Sequence, residues 1–307
     1  MPDEQRPLAA GAIVLVAMAG IAFTDTFFVR IAEVAGLWQF HLIRALIVLP
    51  ILGLWAWWRG IRIVPNKKMA VLFRGLLFGL SMIFYFGSLG FLSVAQAAAG
   101  LFSSPLWVLI ISALVFGEKI GPRRIGAVAV GFVGVLIVLQ PERGLSWAQA
   151  MPIAGGFCYA LAAISTRRWC QGESALSLLA AFFVWMIVIC SIGVLVTGAM
   201  VSDPPIGPEG LLLRSWAQLT PNAWFWIGVQ VVTAIVGVYS LTYAYQLADA
   251  SYVAVFEYSF IVFAALWAAV LFWIFPTLLE MAGILMIILS GVLIALSPAA
   301  RTQTGKV

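Results

Sequence analysis

The sequence predicts an all-α integral membrane protein of ten transmembrane helices, arranged as two inverted-topology five-helix repeats with both termini cytoplasmic. Three observations carry that prediction. The first is composition: 64% of the 307 residues are hydrophobic and 9% are charged, against about 25% charged in soluble domains. With a mean hydropathy of +1.08, the chain has too few polar side chains to coat itself in water. A soluble enzyme, a disordered tail and a nucleic-acid binder are excluded. The second is a set of ten apolar runs, each near the 20 or so residues that cross hydrocarbon as helix. They fall at 8–29, 37–58, 70–89, 94–116, 122–140, 148–167, 175–200, 222–246, 252–275 and 277–297. None alternates polar with apolar, as barrel strands would. The third is the distribution of cations.

Taken in order, the run from Leu8 is longer than the 7–15 residues of a signal-peptide core, so it reads as a retained first helix. With the N-terminus inside, the inner segments hold Arg6; Arg59, Arg62, Lys67 and Lys68; Lys119, Arg123 and Arg124; Arg167 and Arg168; and Arg301 and Lys306. The outer loops hold Arg30, Arg143 and Arg214, while Arg44 and Arg74 lie within spans. Twelve of the 17 cations therefore fall inside and three outside, which fixes orientation by the positive-inside rule. The formal charge of +5 follows from membrane topology and is no sign of nucleic acid. Cys158, Cys170 and Cys190 form neither an even framework nor a CxxC pair, so no disulfide or metal site is indicated.

The chain also repeats itself. Leu136–Pro141 (LIVLQP) recurs as Leu293–Pro298 (LIALSP), an offset of 157, and that offset carries Gly126 onto Gly283 and Gly134 onto Gly291. The first two helices of each half match more weakly, near an offset of 137. Residues 1–141 and 142–307 are thus expected as two five-helix units. Five is odd, so the second unit enters the membrane from the opposite side. Charges agree: the loop at 59–68 holds four cations, while its counterpart at 202–221 holds Arg214 against Asp203 and Glu209. Inverted repeats suit a carrier, because exchanging the conformations of two halves exposes a central site to each side in turn.

The stretch Ala97-Ala-Ala-Gly-Leu-Phe-Ser-Ser-Pro105, continued to Glu118-Lys-Ile-Gly121 and the helix ending Gly134-Val-Leu-Ile-Val-Leu139, resembles the EamA family of the drug/metabolite transporter superfamily. The likeness covers essentially the whole chain as two EamA units. The second unit departs from it, with Val262 in place of Pro105 and Phe275 in place of Glu118. Phe23–Arg30 and Trp38–Arg44 further resemble YddG-type amino-acid exporters. What the resemblance implies is efflux of amino acids or related metabolites across a bacterial inner membrane, with S-adenosylmethionine carriers as the alternative. It also implies that helices three, four, six, eight and nine surround the cavity.

Two carboxylates lie within apolar runs, where charge at mid-bilayer costs at least about 2.5–3.5 kcal/mol. Asp25 sits roughly 26 Å along the first helix, near the outer interface: a hydrated helix-end acid, or a gating residue. Arg44, roughly 10 Å deep, either snorkels outward or pairs with Asp25 to latch the outer side. Glu257, roughly 8 Å from the cytoplasmic side, suits proton coupling or capture of a substrate ammonium, against a structural pair with Arg74; its neighbour Tyr258 joins the candidate substrate site. Mid-helix tyrosines need hydroxyl partners that hydrocarbon lacks, which singles out Tyr85, Tyr159, Tyr239 and Tyr243. Pro105 breaks helix four by clashing with the Leu101 carbonyl, and such breaks free backbone groups for ligands. Phe102, Ser103, Ser104 and Trp107 surround it, against the reading of a plain packing kink. Gln96, Gln230 and Gln246 either line the cavity or bond neighbouring helices. His41 is expected to be structural, Glu118 to cap or bridge its turn, and Trp55, Trp57, Trp58, Trp224 and Trp226 to sit in interface belts.

The expectation is an alternating-access exporter of small metabolites, aromatic or other hydrophobic amino acids foremost, working as a monomer or homodimer with the lipid bilayer as its other partner. No cofactor is implied, and no GxxxxGK[ST] motif points to ATP. A membrane-embedded enzyme would need a metal or acid–base cluster such as HExxH, and none is present; a channel or scramblase is the remaining rival.

Overall fold

The computed structural model describes residues 7–117, 121–139, 146–247, 253 and 256–296. Every regular element among them is helical. They are α1 Pro7–Thr26, α2 Phe28–Ala32, α3 Leu37–Arg59, α4 Lys68–Ser88, α5 Val94–Leu101, α6 Ser104–Leu114, α7 Pro122–Leu139, α8 Trp147–Arg168, α9 Ala175–Met200, α10 Pro221–Thr233, α11 Tyr239–Leu247, α12 Ser259–Phe272 and α13 Leu278–Leu296. Some join into longer rods: α1 with α2, α5 with α6, and α10 with α11 through a π-helical segment, Ala234–Val238. Seven such helices are long and apolar enough to cross a membrane, and three shorter apolar ones accompany them at Ile125–Val138, Ser259–Phe272 and Leu278–Ser290. The expected runs and these helices coincide to within a few residues, except that a turn at Tyr258 interrupts the run at 252–275 and α12 ends at Phe272.

Local chemistry sets the ends. Ser93 and Ser146 each cap a helix by accepting from a backbone N–H three residues on, and Gln96 and Gln149 reciprocate, giving two capping boxes. Thr220 and Ser174 cap α10 and α9. Gly60 ends α3 at φ 63°, a left-handed conformation open to glycine at no steric cost. In helix four the break falls at Phe102–Ser103, with Pro105 in the first turn of α6, where its missing N–H is harmless.

The helices pair across the halves: α7 lies on α13, α3 on α9, α4 on α8 and α9, and α1 on α11 and α12. At the α7–α13 crossing a Cβ on Gly134 would meet the Gly283 carbonyl at 2.7 Å, and one on Gly283 would meet the Gly134 carbonyl at 2.8 Å. Only hydrogens fit there.

Loops tie the two ends of the bundle. At one end Glu173 accepts from the backbone N–H groups of Asn66 (3.1 Å) and Lys67 (2.6 Å), and Lys67 Nζ donates to the Gln171 carbonyl (3.1 Å). Arg59, Arg62, Lys68, Arg167 and Arg168 belong to the same end. At the other end residues 205–217 run as a strap over the starts of α3 and α10. Leu37 N–H and the Trp38 indole donate to the Leu211 and Leu212 carbonyls (2.8 and 2.9 Å), and Gln39 exchanges two hydrogen bonds with Ala217. Arg214 holds the strap closed on itself and on the chain after α2, donating to the carbonyls of Ala32, Ala35, Pro205 and Gly207 at 2.9–3.1 Å. Burial lowers the Arg214 pKa.

Trp57, Trp58 and Trp224 face outward, as belts require. Trp55 and Trp226 turn inward instead: Trp226 stacks on Phe27 at 3.9 Å, and Trp55 packs on Tyr239 at 4.9 Å. An aromatic near a span end has the right depth for a belt, but the helix face it occupies decides whether lipid or protein covers it. Glu118 lies outside the described residues, as does the Gln246 side chain.

Candidate functional site

A cavity of about 90 Å³ lies at the centre of the bundle, lined from α1, α3, α4, the α5 break, α8, α9, the α10–α11 rod and the turn leading into α12. Its wall is mainly Met, Ile, Leu and Phe, interrupted by two polar clusters.

Asp25 forms the first, one residue before α1 ends, and is 2% exposed. Tyr85 on α4 donates its hydroxyl to Oδ2 (2.9 Å), and the Gln230 amide on α10 donates to Oδ1 (3.1 Å). The other end of that amide accepts from Arg44 Nη1 (3.5 Å). Arg44, 4% exposed, does not snorkel: its guanidinium lies over the rings of Phe40 and Phe86 at 4.9 and 5.2 Å, and Nη2 donates to His41 Nδ1 (2.9 Å). Arginine has no lone pair to offer, so that His41 nitrogen is the acceptor and the proton sits on Nε2. His41 Nε2 and Arg44 Nε have no partner among the described residues. Asp25 and Arg44 thus share one cluster with Gln230 as the link between them.

Glu257 forms the second, also 2% exposed. Tyr159 on α8 donates to Oε1 (2.9 Å), and Tyr245 on α11 hydrogen-bonds both to Glu257 and to Tyr159. Its partners are neutral. Arg74 makes no pair with Glu257, although it lies near Tyr159 and Tyr245: it donates from Nε to Thr166 Oγ1 (3.1 Å) and from Nη1 to the Leu178 carbonyl (3.4 Å), with its guanidinium over Phe78 at 4.7 Å.

Of the residues singled out from sequence, Asp25, Arg44, Tyr85, Phe102, Tyr159 and Glu257 line this cavity. Ser103, Pro105 and Tyr258 line a separate pocket of about 10 Å³ between the helix-four break, α7 and Ser290, and the Ser103 hydroxyl has no partner among the described residues. Ser104 is buried, but lines neither space; Trp107 packs on Phe157 at 5.3 Å. Tyr239 and Tyr243 stack on each other along the rod's outer side, and Tyr243 is 42% exposed. Sequence reasoning passed over Tyr245 and the π-helical segment, whose Ala234 and Val238 line the cavity. It also passed over the apolar wall of Met18, Ile21, Phe78, Met82 and Phe260, which nothing in composition separates from core.

Residues 9–140 match the EamA-like transporter family. An uncharacterized transporter of Helicobacter pylori is 28% identical over 78% of this chain and 77% of its own length. A riboflavin transporter of Rhizobium johnstonii is 27% identical over 60% and 56%, and the pseudopaline exporter CntI of Pseudomonas aeruginosa is 28% identical over 80% and 79%. A protein of solved crystal structure superposes with a TM-score of 0.68 over 94% of this chain and 98% of its own, at 15% identity, a likeness of fold. The EamA match, the transporter-named relatives and the apolar helices together support a multi-pass transmembrane transporter of a small molecule.

Proposed function

We propose that the chain is a secondary carrier that exports small metabolites, amino acids foremost, across a bacterial inner membrane by alternating access. It crosses ten times as two inverted five-helix units, residues 1–141 and 142–307, with both termini in the cytoplasm. The observation that carries this reading is the shared ownership of the cavity. Asp25, Arg44 and Tyr85 come from the first unit; Tyr159, Gln230 and Glu257 come from the second. A rocking of one unit against the other would remake the bonds of Gln230 to Asp25 and Arg44, which cross between the units.

Packing supports the inverted repeat. Exchanging each span for its counterpart returns α3–α9 and α7–α13 to themselves. The same exchange swaps α4–α8 with α1–α11, α5–α8 with α1–α12, and α4–α9 with α3–α10, all of them observed contacts. The cation-rich end, with Arg59, Lys67 and Arg167, suits the cytoplasmic side. A cavity of about 90 Å³, below the roughly 300–1,000 Å³ of drug-sized pockets, suits a cargo of few atoms. Glu257, buried with neutral partners only, suits a site for a proton or a substrate ammonium.

The test is uptake of labelled amino acids into proteoliposomes, with and without a pH gradient, with riboflavin and S-adenosylmethionine in the panel. Saturable uptake that internal unlabelled amino acid accelerates is the expected result. Uptake that neither saturates nor responds to internal substrate would mean a channel.

A further inference from the structure

The two polar clusters differ in what they lack. Arg44 is a buried cation whose partners, Gln230 and His41, are both neutral, and its Nε is free of any partner among the described residues. Asp25 does not reach Arg44 Nε: the Gln230 amide stands between the two ions, donating to one and accepting from the other. Glu257 is a buried acid held only by hydroxyls, and a carboxylate has lone pairs for about four donors. Arg44 in the first cluster therefore keeps an unpaired donor, and Glu257 in the second keeps lone pairs to spare, two groups of opposite charge on one cavity.

Their spacing is set by α4. Tyr85 binds Asp25, while Phe78 packs on Tyr159, the donor to Glu257, with ring centroids 5.7 Å apart. Residues 78 and 85 are seven positions apart, so the two places where α4 meets the clusters lie roughly 10 Å apart along its axis. Between them the cavity wall is apolar, with Phe78, Met82 and Phe260 lining it.

We propose that the substrate is an elongated zwitterion, with a carboxylate on Arg44, an ammonium on Glu257 and an apolar linker along Met82 and Phe260. An α-amino acid carries both charges on one carbon and reaches only one cluster with its head group. Basic amino acids, ω-amino acids and short peptides carry them far enough apart to reach both. This rests on the carrier reading for its role as cargo, and on the cavity alone for its binding.

The test is equilibrium binding to the purified full-length protein, followed by intrinsic tryptophan fluorescence, of glycine, β-alanine, γ-aminobutyrate and ε-aminocaproate. Apparent Kd is expected to fall by about tenfold or more from glycine to the best longer member, as a second charge-assisted contact is gained. γ-Aminobutyrate should also outbind butyrate in the native protein and merely equal it in Glu257→Gln. Glycine binding as tightly as any longer member overturns the proposal, as does an amine preference that survives Glu257→Gln. The native series decides the matter even where that variant fails to fold. Length-dependent binding without counterflow in proteoliposomes supports this site and overturns the carrier reading. Counterflow of α-amino acids with no dependence on length overturns this site and leaves the carrier reading standing.

Discussion

Gln230 uses both ends of its amide on buried ions, donating to Asp25 and accepting from Arg44. Leucine at that position fills similar space and leaves each ion one bond short. Unmet buried polar groups cost about 1–3 kcal/mol each, so Gln230→Leu should lower the melting temperature in detergent by several degrees in a scanning-fluorimetry measurement. An unchanged Tm would mean that water reaches the cluster. Cys170 gives a check in the loop after α8. Burial pushes its thiol above the ordinary range, which leaves less thiolate at neutral pH and slows alkylation. Maleimide labelling at pH 7 should be slow, should quicken as pH rises, and should become fast on unfolding. At this scale the sequence was legible wherever a polar group had to find a partner in hydrocarbon. That argument selected Tyr85 and Tyr159, which meet Asp25 and Glu257. It also selected Tyr239 and Tyr243, whose rings stack at the rod's surface, and it missed Tyr245. Need for a partner is written in the residue; which helix face meets that partner is not.

Among elements, the α7–α13 crossing is the closest approach, backbone to backbone. Gly134→Ala forces the helices apart, and overpacking of this kind costs about 1–3 kcal/mol. Gly126→Ala, on the same helix with nothing within 4 Å of the added methyl, should be neutral or stabilising by about 0.4–1 kcal/mol. Thermal unfolding of the two variants side by side checks the contrast, and equal effects would contradict this crossing. Gly75 makes a similar approach, where an added Cβ would meet the Ala181 backbone at 2.9 Å. Pro105 marked where helix four breaks. It did not mark which side of the break faces the cavity, so Phe102 lines it while Ser104 and Trp107 do not. A proline reports a lost hydrogen bond, and says nothing about how the next turn is rotated.

For the whole molecule, alternating access requires the strap end and the cation-rich end to part in turn. Joining Gln39→Cys to Ala217→Cys with a short bifunctional maleimide should stop turnover in proteoliposomes while leaving binding intact, and either cysteine alone should not. Continued transport after complete cross-linking would show that the strap end stays closed throughout the cycle. Where the long apolar helices fall was legible at this scale, because runs near the bilayer's thickness are written along the chain. The strap was not: 202–220 reads only as a loop rich in proline and glycine, and its hold on α3 depends on carbonyls that any sequence possesses. The π-helical turn at Ala234–Val238 amounts to one residue more than an α-helix needs, set between Gln230 of one cluster and Tyr245 of the other. Removing Val236 would let this turn close as plain α-helix, while the same deletion in the regular part of α10 would turn everything after it by about 100°. A surplus residue that slips by a turn along the rod re-faces only the residues it passes, with no helix unwound, so the cavity wall at Ala234 and Val238 is where this rod can change shape at least cost.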